Sequence, residues 1–266
     1  LHNVVVGDLD GDGDQDIAGT ITFDQGNVEV WENRLTTLDQ SRSEDPRLLV
    51  FWKTDIAFHE SIPDAIRAIR EMARRNGMQV DDSSDAHMMK EMVLARYQAV
   101  IFLSTQGEIL NLKQKAAFER YIKTGGGFVG IHSAADTESN WPWYGKLIGA
   151  RYGGSHSEVV RAVVYREGGT HASTKGLPER WDWIDEWYNF SPNPRLNGAT
   201  VLLALDENTY KGGDMGGDHP ISWFHQYDGG RAWYIAGGAS KAIWGERIFR
   251  EHVWGGIGYA AGSKSD

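Results

Sequence analysis

From Arg47 onward the chain alternates between short unbroken apolar runs and longer stretches in which apolar residues recur every three to four positions. Leu48-Leu49-Val50-Phe51-Trp52 and Tyr97–Ser104 (YQAVIFLS) are of the first kind, the mark of strands buried on both faces. Ile62, Ile66, Ile69 and Met72-Ala73 carry the helical spacing, which predicts a helix over 63–76 stopped by Asn76-Gly77. Leu112–Lys123 predicts a second helix ending at Gly125, and Met78–Asp81 a short strand between the first helix and Tyr97. Strand and helix alternating in this way predict an α/β domain, a parallel sheet with helices on both faces. In the carboxyl half, Val159–Tyr165 and Ala199–Leu205 read as strands. Ile221–Tyr227 and Arg231–Gly237 read as a hairpin about Asp228-Gly229-Gly230, and Glu246–Ala261 as the last helix.

The stretch Thr124–Thr137 (TGGGFVGIHSAADT) compresses a helix stop, a strand and a sharp turn into fourteen residues. Ligands of open α/β sheets bind beyond the carboxyl ends of the strands. A strand that stops on Gly130-Ile131-His132-Ser133 therefore presents its polar side chains there. The pattern is related to the strand–turn–helix nucleophile elbow, with His132 at the apex and Gly130 expected to let the backbone turn tightly and approach other groups closely. His59, between the first strand and first helix, occupies the same kind of position, unless it merely packs on a helix capped by Glu60 or Ser61. Thr105-Gln106-Gly107-Glu108 follows the third strand on the same edge.

The first 33 residues follow other rules. Asp8, Asp10, Asp12, Asp14 and Asp16 crowd into VVVGDLDGDGDQDI around Gly13, between apolar runs that read as strands. Oxygen donors at alternate positions about a glycine turn suit Ca²⁺, and the aspartates repel one another unless a cation sits among them. Residues 34–46 are polar and without periodicity, ending at Pro46, and read as a linker.

Composition narrows the partners. The net charge of −10 shows no basic stripe, so nucleic acid is a poor partner, and no apolar run approaches a membrane span. The absence of cysteine excludes disulfides, thiolate zinc sites and a cysteine nucleophile. The eleven tryptophans fit either core packing or sugar stacking. The chain begins at Leu1, without a signal peptide, and is read as a mature product or a fragment.

Four residues far apart in sequence, His132, His156, Glu186 and His219, occupy loop-like positions beside strands. If they gather, they suit acid/base chemistry, and His132, His156 and His219 suit zinc or another divalent metal. Trp141, Trp143 and Tyr144 follow the elbow, and with His59, Ser133 and Tyr188 are the candidates for holding a substrate. His171 and His252 are set aside as peripheral.

Phe58-His59-Glu60-Ser61-Ile62, the Gly125–Thr137 stretch, Trp141-Pro142-Trp143-Tyr144-Gly145, Asp185–Phe190 (DEWYNF) and Asp218-His219-Pro220-Ile221 together resemble the ThuA-like (trehalose utilisation) family, over residues 47–262. The resemblance implies a flavodoxin-like, class I glutamine amidotransferase-like αβα sandwich of three layers, with the first 33 residues as a short β appendage. It implies a carbohydrate partner, trehalose or a 3-keto sugar derivative. The elbow carries His132 where amidotransferases carry cysteine, so glutamine hydrolysis is not implied. Many members have a Gly-His pair after the last hairpin strand; here Gly237-Gly238-Ala239-Ser240 puts Ala239 in its place. Val5 to Asn33 resembles one FG-GAP/VCBS repeat, a calcium-binding blade of extracellular propellers, which implies a periplasmic or extracellular protein and further modules of a larger secreted chain. Three readings follow: an enzyme acting on a sugar or oxidised sugar, a carbohydrate-binding module without catalysis, and a hydrolase using Ser133.

Overall fold

The computed structural model describes residues 46–154 and 158–263 in full, together with the backbone of 3–7, 16–21, 27–31 and 155. His156 and Asp8, Asp10, Asp12 and Asp14 lie outside the described residues, and of Asp16 only the backbone is described. The chain divides into two compact units, residues 1–43 and 44–266.

The first unit contains an antiparallel three-stranded sheet of β1 (Asn3–Gly7), β2 (Asp16–Ile21) and β3 (Asn27–Trp31). The apolar runs on either side of the aspartate loop are thus paired strands, with Gly7 opposite Asp16.

The second unit follows the predicted alternation: β4 (Arg47–Phe51), α1 (Ile62–Arg75), β5 (Gln79–Ser83), α2 (Glu91–Leu94), β6 (Ala99–Leu103), α3 (Leu112–Lys123), β7 (Gly127–Ile131) and α4 (Pro142–Ile148). The carboxyl half adds β8 (Arg151–Ser155), β9 (Val160–Arg166), β10 (Arg180–Asp185), β11 (Tyr188–Ser191), β12 (Thr200–Asp206), β13 (His219–Tyr227), β14 (Gly230–Ile235) and α5 (Arg247–Ala261). Nine strands form one sheet in the order β10-β9-β12-β13-β14-β7-β6-β4-β5. Pairing is parallel from β14 through β7, β6 and β4 to β5, and antiparallel from β14 outward to β10. The unbroken apolar runs become the central parallel strands because helices cover both their faces: every residue of β6 and β7 is buried. Each large apolar side chain so buried contributes about 1.5–3 kcal/mol.

Two sequence expectations about this core change. Gly130 does not make the turn. It lies inside β7, and a Cβ there would come within 2.9 Å of the Tyr234 ring and 3.2 Å of Ile148 Cδ1. Glycine is needed because Tyr234 packs across it on its way to donate a hydrogen bond to the His132 carbonyl, 2.7 Å away. The turn is made by His132 itself, at φ 55.

His252, set aside as peripheral, is fully buried where α5 packs on β14. Its Nδ1–H donates to the Ser173 carbonyl at 2.8 Å, and Nε2 meets Ser222 Oγ at 2.8 Å. Burial lowers its pKa to about 3, and burial likewise lowers His171 to about 4. Both fall below the ordinary value of 6.5, so the folded state binds the proton less well than the unfolded chain. The stability they contribute is complete above pH 6.5 and is lost as pH falls toward their folded values. For His252 alone the loss at pH 5 is about 2 kcal/mol. Urea denaturation at pH 8 and pH 5 is expected to show the lower midpoint at pH 5. His252→Gln is expected to narrow that gap, and an unchanged gap would contradict the assignment.

Candidate active site at the carboxyl edge of the sheet

The site gathers where β4, β6, β7 and β14 end. β7 finishes at Ile131, and a 3₁₀ turn over His132–Asp136 begins at once. His132 takes a left-handed backbone, which a non-glycine residue adopts at a cost of about 1–2 kcal/mol. Its neighbour at the end of β6, Ser104, does the same at φ 48. Strain held at adjacent strand ends is characteristic of functional sites.

His132 is buried, and its ring is fixed from several sides. Nδ1 lies 2.9 Å from the Ala236 carbonyl just past β14. A carbonyl only accepts, so Nδ1 carries the proton and Nε2 is the nitrogen that can take another. Around Nε2 are the Tyr188 hydroxyl at 3.0 Å and Glu186 Oε2 at 3.5 Å. The Tyr188 ring stacks on the imidazole at 4.5 Å, and His59 meets it edge-on at 4.7 Å. His59 Nε2 reaches Ser133 Oγ at 3.3 Å. Burial, reinforced by nearby His132 and opposed by Glu186, lowers the His59 pKa to about 4. His59 is therefore a neutral imidazole at neutral pH. Burial pushes the Tyr188 phenol well above its ordinary range, so it stays a hydroxyl. Glu186 keeps 22% of its side chain exposed and is the carboxylate that meets solvent.

The structure thus brings together His59, His132, Ser133, Glu186 and Tyr188. It does not bring His219 to the same face. His219 Nε2 donates to the Tyr188 carbonyl at 2.8 Å, and Nδ1 faces Glu207 Oε1 at 2.7 Å and the Tyr210 hydroxyl at 3.1 Å. Both ring nitrogens are engaged, so His219 braces Tyr188 from behind. Among the described residues no three His, Asp or Glu gather in an arrangement able to hold a metal ion. With His156 outside them, the expected four-residue set is seen only in part.

Trp141, Trp143 and Tyr144 pack around α4, Trp143 only half-buried. Tyr144 is fully buried and donates to the Ala134 carbonyl at 2.8 Å. Trp141 stacks on Trp143 at 5.1 Å and donates to Glu119 at 3.1 Å, while Trp143 donates to Asp228 at 2.7 Å. The rings cover α3 and the β13–β14 turn because Pro142 starts a helix whose apolar side must be buried. Nor does Ser61 cap α1: its hydroxyl donates to the Gly238 carbonyl at 2.8 Å.

Sequence reasoning favoured Glu186 over its neighbour Asp185. Asp185 is buried, with its carboxylate accepting from the backbone N–H of Gly238 at 2.6 Å, Ser240 at 2.9 Å and Glu186 at 3.0 Å. The signal lay in strand parity: Trp183 and Asp185 share the buried face of β10, opposite exposed Ile184. Asp136, which accepts from Gln106 Nε2 at 2.7 Å, was also missed; its Asp-Thr context carried no mark of its own. A separate open groove of about 570 Å³ runs beside Tyr165, Arg166, Glu167 and Arg180. Of its charged lining, Arg180 pairs with Asp206 and Glu167 with Arg195.

A parallel-centred α/β sheet with imidazoles and a carboxylate at its strand ends defines a class of small-molecule sites. Residues 47–260 match the family described as ThuA, trehalose utilisation, and the chain belongs to that family. In fold it is similar to a ThuA-like protein from Bacteroides uniformis, at a TM-score of 0.70 and 23% identity over 84% of this chain and 95% of that one. A ThuA-like protein from Parabacteroides merdae gives 0.65 and 17%, covering 82% and 90%. A cytoplasmic protein from Salmonella typhimurium gives 0.57 and 13%, covering 83% and 100%. No curated protein matches the chain.

Proposed function

We propose that the chain processes a sugar bearing a carbonyl, by acid/base chemistry at His132 and Glu186. The observation that carries this reading is the convergence of His59, His132 and Glu186 around a strand end held in left-handed backbone. Membership of the trehalose-utilisation family supplies the sugar. Protons beside the carbonyl of a 3-keto sugar are acidic enough for one positioned base to remove. Glu186, the solvent-facing member, takes the proton, with His132 Nε2 beside it to share the charge. The electron pair of the broken C–H bond moves onto the carbonyl oxygen, where His59 as a neutral donor stabilises the enolate. The enolate then either expels the oxygen substituent two carbons from the carbonyl, which leaves with the proton returned by Glu186, or passes the proton of the hydroxyl on its other carbon to the former carbonyl oxygen while Glu186 returns its proton to the former carbonyl carbon. The first outcome is elimination and the second isomerisation.

Incubation with 3-keto-trehalose and 3-keto-glucosides, followed by NMR with and without added divalent metal, tests the reading. A new sugar product that disappears in Glu186→Gln supports it. No turnover under either condition, or an equal rate in the variant, overturns it. A second reading, a sugar-binding module without catalysis, draws on Ala239, which brings only a methyl group to the position where the family resemblance implies a histidine. Saturable sugar binding without product, persisting in Glu186→Ala, would favour it.

A further inference from the structure

The five residues after β14, Ala236 to Ser240, bond His132 directly and the near chain neighbours of Glu186 and His59, while contributing no side chain to the proposed chemistry. The Ala236 carbonyl takes the His132 Nδ1 proton at 2.9 Å. The Gly238 and Ser240 N–H groups donate to Asp185, whose chain neighbour is Glu186. The Gly238 carbonyl accepts from Ser61, two residues after His59, and from Trp244 Nε1 at 3.1 Å. One short segment therefore ties together the three chain regions that carry His59, His132 and Glu186.

The segment has little room to relax. Gly238 has φ +123, and a Cβ there would lie 3.0 Å from Ile131 Cγ2. A Cβ on Gly237 would lie 3.1 Å from the Phe249 ring and 3.3 Å from Asp185 Oδ2. Two glycines let the backbone run close enough to Asp185 for a buried carboxylate to collect its N–H groups. A carboxylate wholly removed from water persists only where such donors replace its hydration.

We infer that Asp185 is a positioning residue, which clamps the 236–240 backbone and through it holds His132, Glu186 and His59 in one working geometry. The inference rests on the proposed acid/base reading, and it assigns no substrate contact to Asp185. It accounts for a buried anion at the end of β10, where an apolar residue would cost less. It also gives Ser61 a purpose other than capping α1.

Asp185→Asn and Ser61→Ala test it. Asparagine keeps the shape but turns its NH2 group either toward the Gly238 donor or toward the Ser240 and Glu186 donors, and alanine at 61 removes the Gly238 tie. On a 3-keto sugar that the wild type turns over, Asp185→Asn is expected to lower kcat per folded molecule at least about tenfold, with KM within about twofold. Ser61→Ala is expected to lower kcat by a smaller factor. The titratable groups around His132 are His59, Asp185, Glu186, Tyr188 and Tyr234. Replacing Asp185 by an amide is expected to move the acid limb of the pH–rate profile to lower pH. A lower melting temperature with kcat per folded molecule and pH profile unchanged would make Asp185 merely structural and overturn the inference. If the wild type turns over no 3-keto sugar, the acid/base reading fails by itself, and crystal structures of the variants decide the clamp. Retention of the His132–Ala236 bond and of Glu186 beside His132 in Asp185→Asn would overturn it, and their displacement would support it.

Discussion

His132→Asn is expected to lower kcat on an accepted 3-keto sugar by about 10²- to 10⁴-fold, the range for loss of a positioned acid/base group. Asparagine is chosen because it tolerates the left-handed backbone that His132 adopts at φ 55. Its short amide can stay near the Ala236 carbonyl, but it has no nitrogen able to take a proton where Nε2 stands. The substitution therefore separates the chemistry of the ring from the conformation of the turn. The buried ring also packs against Tyr188 and His59, so a stability loss of about 2–3 kcal/mol is expected alongside. Steady-state rates normalised to the folded fraction by circular dichroism check the prediction. A kcat within threefold of wild type would remove His132 from the mechanism.

Glu138→Ala is expected to destabilise the second unit by about 3–5 kcal/mol, the usual consequence of stripping one partner from a buried ion pair. Glu138 is fully buried in the loop after the elbow. One carboxylate oxygen accepts from the N–H groups of Ile109 at 2.9 Å and Leu110 at 2.7 Å, and the other pairs with Lys115. Burial pushes its carboxyl up, against the pull of Lys115 and the Leu110 N–H. Alanine would leave the Lys115 ammonium, only 16% exposed, with Glu108 alone, and would strand two backbone donors just ahead of α3. The loops after β6 and β7, bridged at Gly107 and Thr137, would then lose one of their ties. Thermal unfolding is expected to shift down by roughly 10 °C for a unit of this size. Glu138→Gln, which keeps an acceptor for Ile109 and Leu110, is expected to lose less. Equal melting temperatures for alanine variant and wild type would show that the pair carries no net stability.

Much of the fold was legible because its signals are local. The apolar runs at Leu48–Trp52 and Tyr97–Ser104 could be nothing but doubly covered strands, and they became β4 and β6. The Asp228-Gly229 turn signal predicted the β13–β14 hairpin. The strand-end position of His132 followed from the run that precedes it. The aromatic cluster misled for an equally physical reason. A tryptophan's face suits a sugar or a core equally well, and only the packing shows that Trp141 lies under Lys115 of α3 and Tyr144 against Phe102 and Phe128 of the sheet.

By itself, the sequence determined the strand–helix alternation, the strand end on which His132 stands, and the family, since each is written in residues adjacent along the chain. Only the tertiary structure decided that His59, Glu186 and Tyr188 meet His132 while His219 stands behind them. Those contacts join residues 31 to 104 positions apart, and hydrogen-bond direction, which no spacing encodes, fixes each imidazole. The same holds for the stretch after β14. Ala236 to Ser240 looks like an empty glycine-rich loop until the carboxylate of Asp185, the hydroxyl of Ser61 and the ring of His132 are found holding its backbone.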